Sequence, residues 1–310
     1  MANYTVLEQP DVSGLEAAYG LAIGSMVPLD GGMATSSYIA ETDQGTMVVS
    51  VLDNQDDTAA LRLAQTNDFM WSHHIPTCEV LRRLDGELIS PVRGKSVMVK
   101  RFLPGETRDN LSDELLPRAT QMLGMIHNLS PENLEVPIGL RHLSLSLRDI
   151  IGTFPNTEHV RWLRHRLARL DDFFPPEDDP RRDRWTLIHG DFTPSNIVIS
   201  EGQDDDSALY AIDWETVTID DPMLDCGMSA MNMCVIDGRL SPQRLKLFGE
   251  GYRRSGRVFE EDRIRVSVEY AAVIVAFHRY RRHNIRFPNP ARKDYYKQMV
   301  EFVEREFPED

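Results

Sequence analysis

Cysteine is scarce in this sequence, and the little there is points away from redox chemistry. Cys78, Cys226 and Cys234 are the three in 310 residues, and no two form a CxxC pair. That argues against a disulfide framework or a cysteine-rich zinc site and favours buried or free thiols. Long apolar runs are missing as well: none approaches the ~20 residues that a bilayer-spanning helix requires. The opening Met-Ala-Asn-Tyr-Thr-Val-Leu-Glu-Gln-Pro has neither the basic nor the apolar segment of a signal peptide, so the expected compartment is the cytosol. Positive charge is in deficit, with 34 Lys and Arg against 49 Asp and Glu and a formal net charge of −15. Such a field repels nucleic acid and anionic membranes and mildly favours cationic small substrates. No segment recurs with a 20–50-residue period. Lysine is absent altogether before Lys95.

What is present is the composition of an ordinary globular protein, 41% apolar and 27% charged, and the length suggests two domains or lobes. Alternating residues over 35–41 and 46–52, joined by the turn Asp43-Gln-Gly45, predict a β-hairpin. Leu61, Ala64, Phe69 and Trp71 are spaced as on a helix over 57–74, which Ile75-Pro76 ends. Strands are expected over 87–90 and 96–102, stopped by Leu103-Pro-Gly105, which reads as a hinge. Past it the apolar spacing changes to three and four, predicting helices over 115–129 and 160–170. The biased tracts at 171–184 and 201–207 read as loops. The expectation is an α+β chain of two lobes: a β-rich one over 1–103 and a helical one over 104–310.

Inside the helical part lies a β island. Trp185–Ile188 leads into His189-Gly-Asp191, Ile197–Ile199 follows, and after an acidic turn Ala208–Ile212 runs into Asp213-Trp-Glu215. The polar residues therefore sit in loops at strand ends. Phosphoryl transfer needs a carboxylate near the incoming hydroxyl and oxygen ligands that hold Mg²⁺ against the nucleotide phosphates. Asp191 suits the first role. The amide oxygen of Asn196 and the carboxylate of Asp213 suit the second. His-Gly-Asp alone is weak, because many such triplets are turns; the combination with Asn196 and Asp213 at these strand ends carries the signal. In the first third, Gly31 and Gly32 would let the backbone of a turn approach phosphates, with Thr35, Ser36 and Ser37 as hydrogen-bond donors, although an ordinary hairpin turn explains the stretch equally well.

These motifs, "LIHGDFTPSNIVI" (187–199), "AIDWETVTIDDPMLD" (211–225), "VKRFLPG" (99–105) and "QMLGMIHNL" (121–129), resemble the kinase-like small-molecule phosphotransferases, which include aminoglycoside phosphotransferases, choline kinases and type II homoserine kinases. The resemblance implies a bilobal, protein-kinase-like fold and an ATP- or GTP-dependent, Mg²⁺-assisted kinase acting on a hydroxyl of a small molecule. It implies that Asp191 is the catalytic base or the residue that orients the hydroxyl, that Asn196 and Asp213 are the metal ligands, and that His189 and Asp225 support the loop. Phe102, at the hinge, is expected to contact the nucleotide. Glu215 fits the family's Asp-Trp-Glu pattern with a structural or a functional role.

One departure matters. Family members carry a lysine on the third strand, paired with a helix glutamate, to hold the α- and β-phosphates. Here Ser50 stands near that position, and the following helix offers Asp56, Asp57 and Arg62 but no glutamate. A short hydroxyl residue there is similar to the homoserine kinases. A pseudokinase is the alternative, and a protein kinase is disfavoured because Gly190 stands where those enzymes have Arg and no APE signature follows Asp213. For the acceptor, Glu260, Glu261, Asp262 and Glu269 would suit an aminoglycoside, while the basic tract 279–293 would suit a carboxylate-bearing amino acid. That tract reads more simply as a solvated or internally paired basic face. His73-His74 lacks a third metal ligand, and Met228, Met231 and Met233 read as core. The sequence does not set the oligomeric state.

Overall fold

The computed structural model describes residues 5–29, 35–139, 150–170, 179–200 and 207–308. It begins with a helix that periodicity does not announce, α1 (Gln9–Tyr19), because only Leu15 and Tyr19 of it are buried. Local chemistry forms it instead: Glu8 and Asp11 make a reciprocal capping box, Pro10 lies in the first turn, and Gly20 closes the end at φ 66°. The strands β1 (Ile23–Leu29), β2 (Ser36–Thr42), β3 (Gly45–Val51), β4 (Ile89–Val92) and β5 (Lys95–Arg101) follow. They form one antiparallel sheet in the order β1-β2-β3-β5-β4. The expected hairpin is β2–β3, turning at Asp43-Gln44 with Thr42 opposite Gly45. The helix α2 (Asp57–Ser72) lies between β3 and β4, its N-terminus capped by the Asp56 side chain on the Ala59 amide.

Alternation gives the sheet two faces. Tyr38, Ala40, Met47, Val49, Val51, Val97 and Val99 pack under Leu15 and Tyr19 of α1. The opposite face carries Ser37, Ile39, Val48, Ser50, Met98 and Lys100, since paired residues share a face. Met98 there packs with Ala64 of α2.

Past the sheet, Gly105 adopts φ 147° with no room for a Cβ, which would meet the Ile199 carbonyl oxygen at 2.2 Å. That close approach lets Glu106 and Ile199 exchange backbone hydrogen bonds of 3.0 and 2.8 Å, docking this segment onto the helical part. The rest is mainly helical: α3 (Leu115–His127), α4 (Glu158–Arg169), α5 (Pro222–Met233), α6 (Pro242–Arg254), α7 (Glu261–Tyr280) and α8 (Lys297–Glu306). α5 and α7 meet tightly at Gly227, where a Cβ would lie 2.3 Å from the Ser267 carbonyl oxygen. The β island is two short antiparallel ribbons: β6 (Thr186–Ile188) with β9 (Thr218–Asp220), and β7 (Ile197–Ile199) with β8 (Leu209–Ala211). β9 is too short to alternate visibly in sequence. Among the described residues no helix is long and apolar enough to cross a membrane.

Candidate active site

The two ribbons end on the same side, and their loops are tied to one another before they offer anything to a ligand. From β6 the chain enters His189-Gly190-Asp191, with Gly190 at φ 81°. The carboxylate of Asp225, in the first turns of α5, accepts the amides of His189 (2.8 Å) and Gly190 (3.0 Å) and the Nε2–H of His127 (3.1 Å). Asp225 is fully buried. Burial works against its charge, yet the hydrogen bond from His127 and the amide donors hold its carboxyl below the ordinary carboxylate range. Burial likewise pushes His127 and His189 below the usual histidine value, so both are neutral. Their partners fit the tautomers this requires. His127 donates from Nε2 and accepts the Tyr252 hydroxyl on Nδ1 at 2.8 Å; His189 donates from Nε2 to the Ile212 carbonyl at 3.0 Å and accepts the Asp191 amide on Nδ1 at 3.3 Å.

Asp191 is half-buried. Its carbonyl oxygen and its Oδ2 both accept from Nδ2 of Asn196, at 2.8 and 3.3 Å. This anchors the amide nitrogen and leaves Oδ1 of Asn196 with no partner among the described residues, turned into a potential ligand. Opposite lies Asp213, whose backbone is left-handed (φ 68°, ψ 65°), a conformation that costs energy in a non-glycine residue and gathers at functional sites. Neighbouring contacts hold it there. Ile212 donates to the Asn196 carbonyl at 3.0 Å, Thr216 Oγ1 to the His189 carbonyl at 2.8 Å, and the buried Trp214 to Thr77 Oγ1 at 2.9 Å. Thr77 in turn donates to the Ala211 carbonyl at 2.7 Å. The Asp213 carboxylate itself is exposed and unpaired among the described residues. A carboxylate, a fixed amide oxygen and a free carboxylate on two cross-braced loops are the donor set that a divalent ion beside phosphates requires. No cluster of three or more His, Cys, Asp or Glu competes for a metal among the described residues.

With this arrangement of sheet, hinge and loops in view, the comparisons decide the family. The phosphotransferase enzyme family matches residues 25–265. The chain belongs to that family. A search of curated proteins by sequence found no match. Solved structures superpose along nearly the whole length of this phosphotransferase. A spectinomycin phosphotransferase bound to ADP and spectinomycin does so with a TM-score of 0.65 at 15% identity, over 96% of this chain and 94% of its own. For an amicoumacin kinase bound to AMP-PNP and Ca²⁺ the values are 0.71, 12%, 96% and 93%. For an ethanolamine kinase of Plasmodium vivax they are 0.64, 10%, 97% and 90%. At such identities the likeness is one of fold, the bilobal kinase-like fold expected from the motifs.

The remaining site residues are placed unevenly. Gly31 and Gly32 lie outside the described residues. Ser36 is buried and gives its hydroxyl and its amide to Asp53, so it braces the strand end instead of facing the cleft. Ser37 lies on the other face, its hydroxyl 3.4 Å from that of Ser50. Phe102 follows β5 directly, its amide on the Thr46 carbonyl at 3.1 Å, half-buried at the hinge. Of the acidic residues considered for a cationic acceptor, Glu269 is buried against Arg166 at 3.1 Å, Glu260 pairs with Arg263 at 3.1 Å, and Glu261 pairs with Arg253. Thr77 and Tyr252 brace the site from positions that no motif marks, more than a hundred residues from the groups they hold. The Lys95–Asp53 ion pair also had no sequence signal.

Proposed function

We propose that the chain transfers the γ-phosphoryl group of ATP to a hydroxyl of a small, amine-bearing molecule, an amino alcohol or a hydroxy amino acid. The observation that carries this reading is the pair of braced loops, which hold Asp191, Asn196 and Asp213 together while leaving the metal-competent oxygens of the last two free. The sheet over residues 1–103 covers the nucleotide, with Phe102 beside the base, and residues 104–310 carry the loops and the acceptor. Asp191 accepts the hydroxyl proton as the acceptor oxygen bonds to phosphorus and the bond to the ADP oxygen breaks. Asn196 Oδ1 and the Asp213 carboxylate are the groups that would hold Mg²⁺, which when bound neutralises charge on the phosphates. His189 keeps its neutral tautomer and fixes the main chain at Asp191. A cytosolic setting fits the composition.

The pairing of Glu260, Glu261 and Glu269 with arginines weighs against an aminoglycoside held by those three, while Asp262, the fourth candidate, has no arginine partner among the described residues. A pseudokinase would have no use for a free carboxylate held in a strained backbone opposite an oriented amide. Labelled ATP, and GTP in parallel, incubated with Mg²⁺ and panels of amino alcohols, hydroxy amino acids, aminoglycosides and sugars tests the reading. Transfer to a member of the first two panels is expected. Transfer to none of the four, together with nucleotide binding indifferent to Mg²⁺, would replace it with the pseudokinase.

A further inference from the structure

We infer that Lys100 is the cation that faces the nucleotide phosphates in place of the lysine missing from the third strand. This rests on the nucleotide-dependent reading of the site given above.

Position 50 holds a buried serine, with Ser37 facing it from β2. Yet the charge on a nucleotide's phosphates still has to be met in a chain whose net charge is −15. The described part of residues 1–103 contains seven lysines and arginines: Arg62, Arg82, Arg83, Arg93, Lys95, Lys100 and Arg101. Five are already neutralised. Arg82 is bound to Asp68, Arg83 to Asp85, Arg93 to Glu8 and Asp11, Lys95 to Asp53 and Arg101 to Glu79. Lys100 and Arg62 are the two left with no acidic partner among the described residues.

Register separates them. In the β3–β5 ladder Val48 pairs with Lys100 and Ser50 with Met98. Lys100 therefore shares a face with Ser50 and is its diagonal cross-strand neighbour, at a spacing of about 7–8 Å. This is the face turned away from α1, and it is the side on which α2 lies. The same helix packs against the Trp214–Thr216 turn that follows Asp213, so the face looks toward the catalytic loops. From there the flexible four-carbon stem of a lysine brings an ammonium to the region that a lysine at position 50 would serve. Arg62 is two residues from Ala64, which packs on Met98, and thus on the opposite side of α2 from the sheet. Lys100 is half-buried and, unlike the usual strand lysine, has no helix glutamate to hold it.

The experiment compares nucleotide affinities of the full chain by calorimetry, with Mg·ATP, Mg·ADP and adenosine as probes. Lys100→Met should weaken Mg·ATP by about 10- to 100-fold, the range for losing a hydrogen bond to a charged group. Adenosine affinity should be unchanged, and Lys100→Arg should restore much of the loss. Independently of any variant, Mg·ATP should protect Lys100 of the wild type from acetylation read by mass spectrometry, and adenosine should protect it less. Unchanged Mg·ATP affinity in Lys100→Met, or a loss seen equally with adenosine, would overturn the assignment while leaving the kinase reading intact. So would a loss that appears in Arg62→Ala instead. A wild type that binds no Mg·nucleotide would overturn both.

Discussion

The two sides of the cleft are built on opposite plans. On the helical side the chemistry sits in short loops whose polar groups are nearly all answered: Asp225 by two amides and a histidine, His189 by a carbonyl and an amide, Asn196 by Asp191. The few groups left open, Asp213 and Oδ1 of Asn196, stand out against that background. On the sheet side the charges are neutralised pairwise along strand ends and turns, and the one lysine near a strand start, Lys95, is turned to Asp53. If transfer takes place at these loops, preorganisation is concentrated where charge develops, which is where it lowers a barrier most. On the reading proposed above, the sheet side is left to shape, backbone donors and a single cation.

If that contrast is real, the largest effect follows from Asp191→Asn. The side chain is isosteric and its backbone partners stay, so folding and nucleotide affinity should hold while turnover falls ~10²–10⁴-fold, the usual worth of a positioned base. Asp213→Ala should show the converse, losing Mg²⁺-dependent nucleotide affinity first, because a divalent ion beside phosphates keeps only neutral protein oxygen. Calorimetry and initial rates on both variants separate the two roles; a loss under about tenfold in the first would remove Asp191 from proton transfer.

The brace beneath the loop comes next. Asp225→Ala leaves two amides and a histidine N–H buried without acceptors, each costing roughly 1–3 kcal/mol. A drop of about 3–5 kcal/mol in unfolding free energy is expected by denaturant titration, the scale for removing one member of a buried charged network. A loss below ~1 kcal/mol would mean that water or a shifted backbone replaces the carboxylate.

Much of this candidate site is legible in the sequence, and the reason is local. Asp191 and Asn196 lie in one loop, Asp213 in the turn after a recognisable strand, so spacing alone brought the three into view. The β2–β3 hairpin is visible for the same reason. What sequence could not show depends on partners far along the chain: Thr77 under Trp214, Tyr252 on His127, Arg166 on Glu269. α1 escaped because it buries only two of its eleven residues, leaving its capping signals without a periodic stripe. Ser36 and Ser37, expected together as donors of one turn, are neighbours on a strand and so point to opposite sides, and only the bond of Ser36 to Asp53 reveals which is which.

A smaller effect is expected from pH, and it belongs to the helical side. His159, near the start of α4, packs against Tyr280 and Tyr296 with ring centroids 4.6 and 3.9 Å away, and its Nε2 has no partner among the described residues. Burial lowers its pKa to about 4. The unfolded chain titrates this group near 6.5, so between those values it binds a proton that the folded chain refuses. Stability from this residue is therefore full above about pH 6.5 and is lost as the pH falls toward 4, by an amount on the order of 3 kcal/mol. His127 and His189 act in the same direction. Melting temperature against pH for the wild type and His159→Phe checks this: the variant should show a shallower decline over that window, and parallel curves would refute the assignment.

The smallest effect is the one that tests the sheet side most directly. Lys95 is the first lysine in the chain and the obvious nominee for the missing phosphate-binding cation. Its ammonium is bound to Asp53, while Asp53 also accepts from Thr5 and Ser36. Burial opposes the charge of Asp53, but Lys95, Ser36 and Thr5 together keep its carboxyl below the ordinary range. Two of those three donors survive in Lys95→Met. The lysine side chain is 35% exposed and that of Asp53 only 5%, so the ammonium end is screened by solvent and, with Ser36 and Thr5 still donating to the carboxylate, the loss is held to about 1 kcal/mol. Lys95→Met should therefore lower stability by no more than about 1 kcal/mol and leave Mg·ATP affinity within twofold, roughly the noise of a calorimetric Kd. Tenfold weaker Mg·ATP binding in this variant would transfer the phosphate-facing role to Lys95 and erase the contrast between a committed lysine at the strand start and a free one facing the cleft.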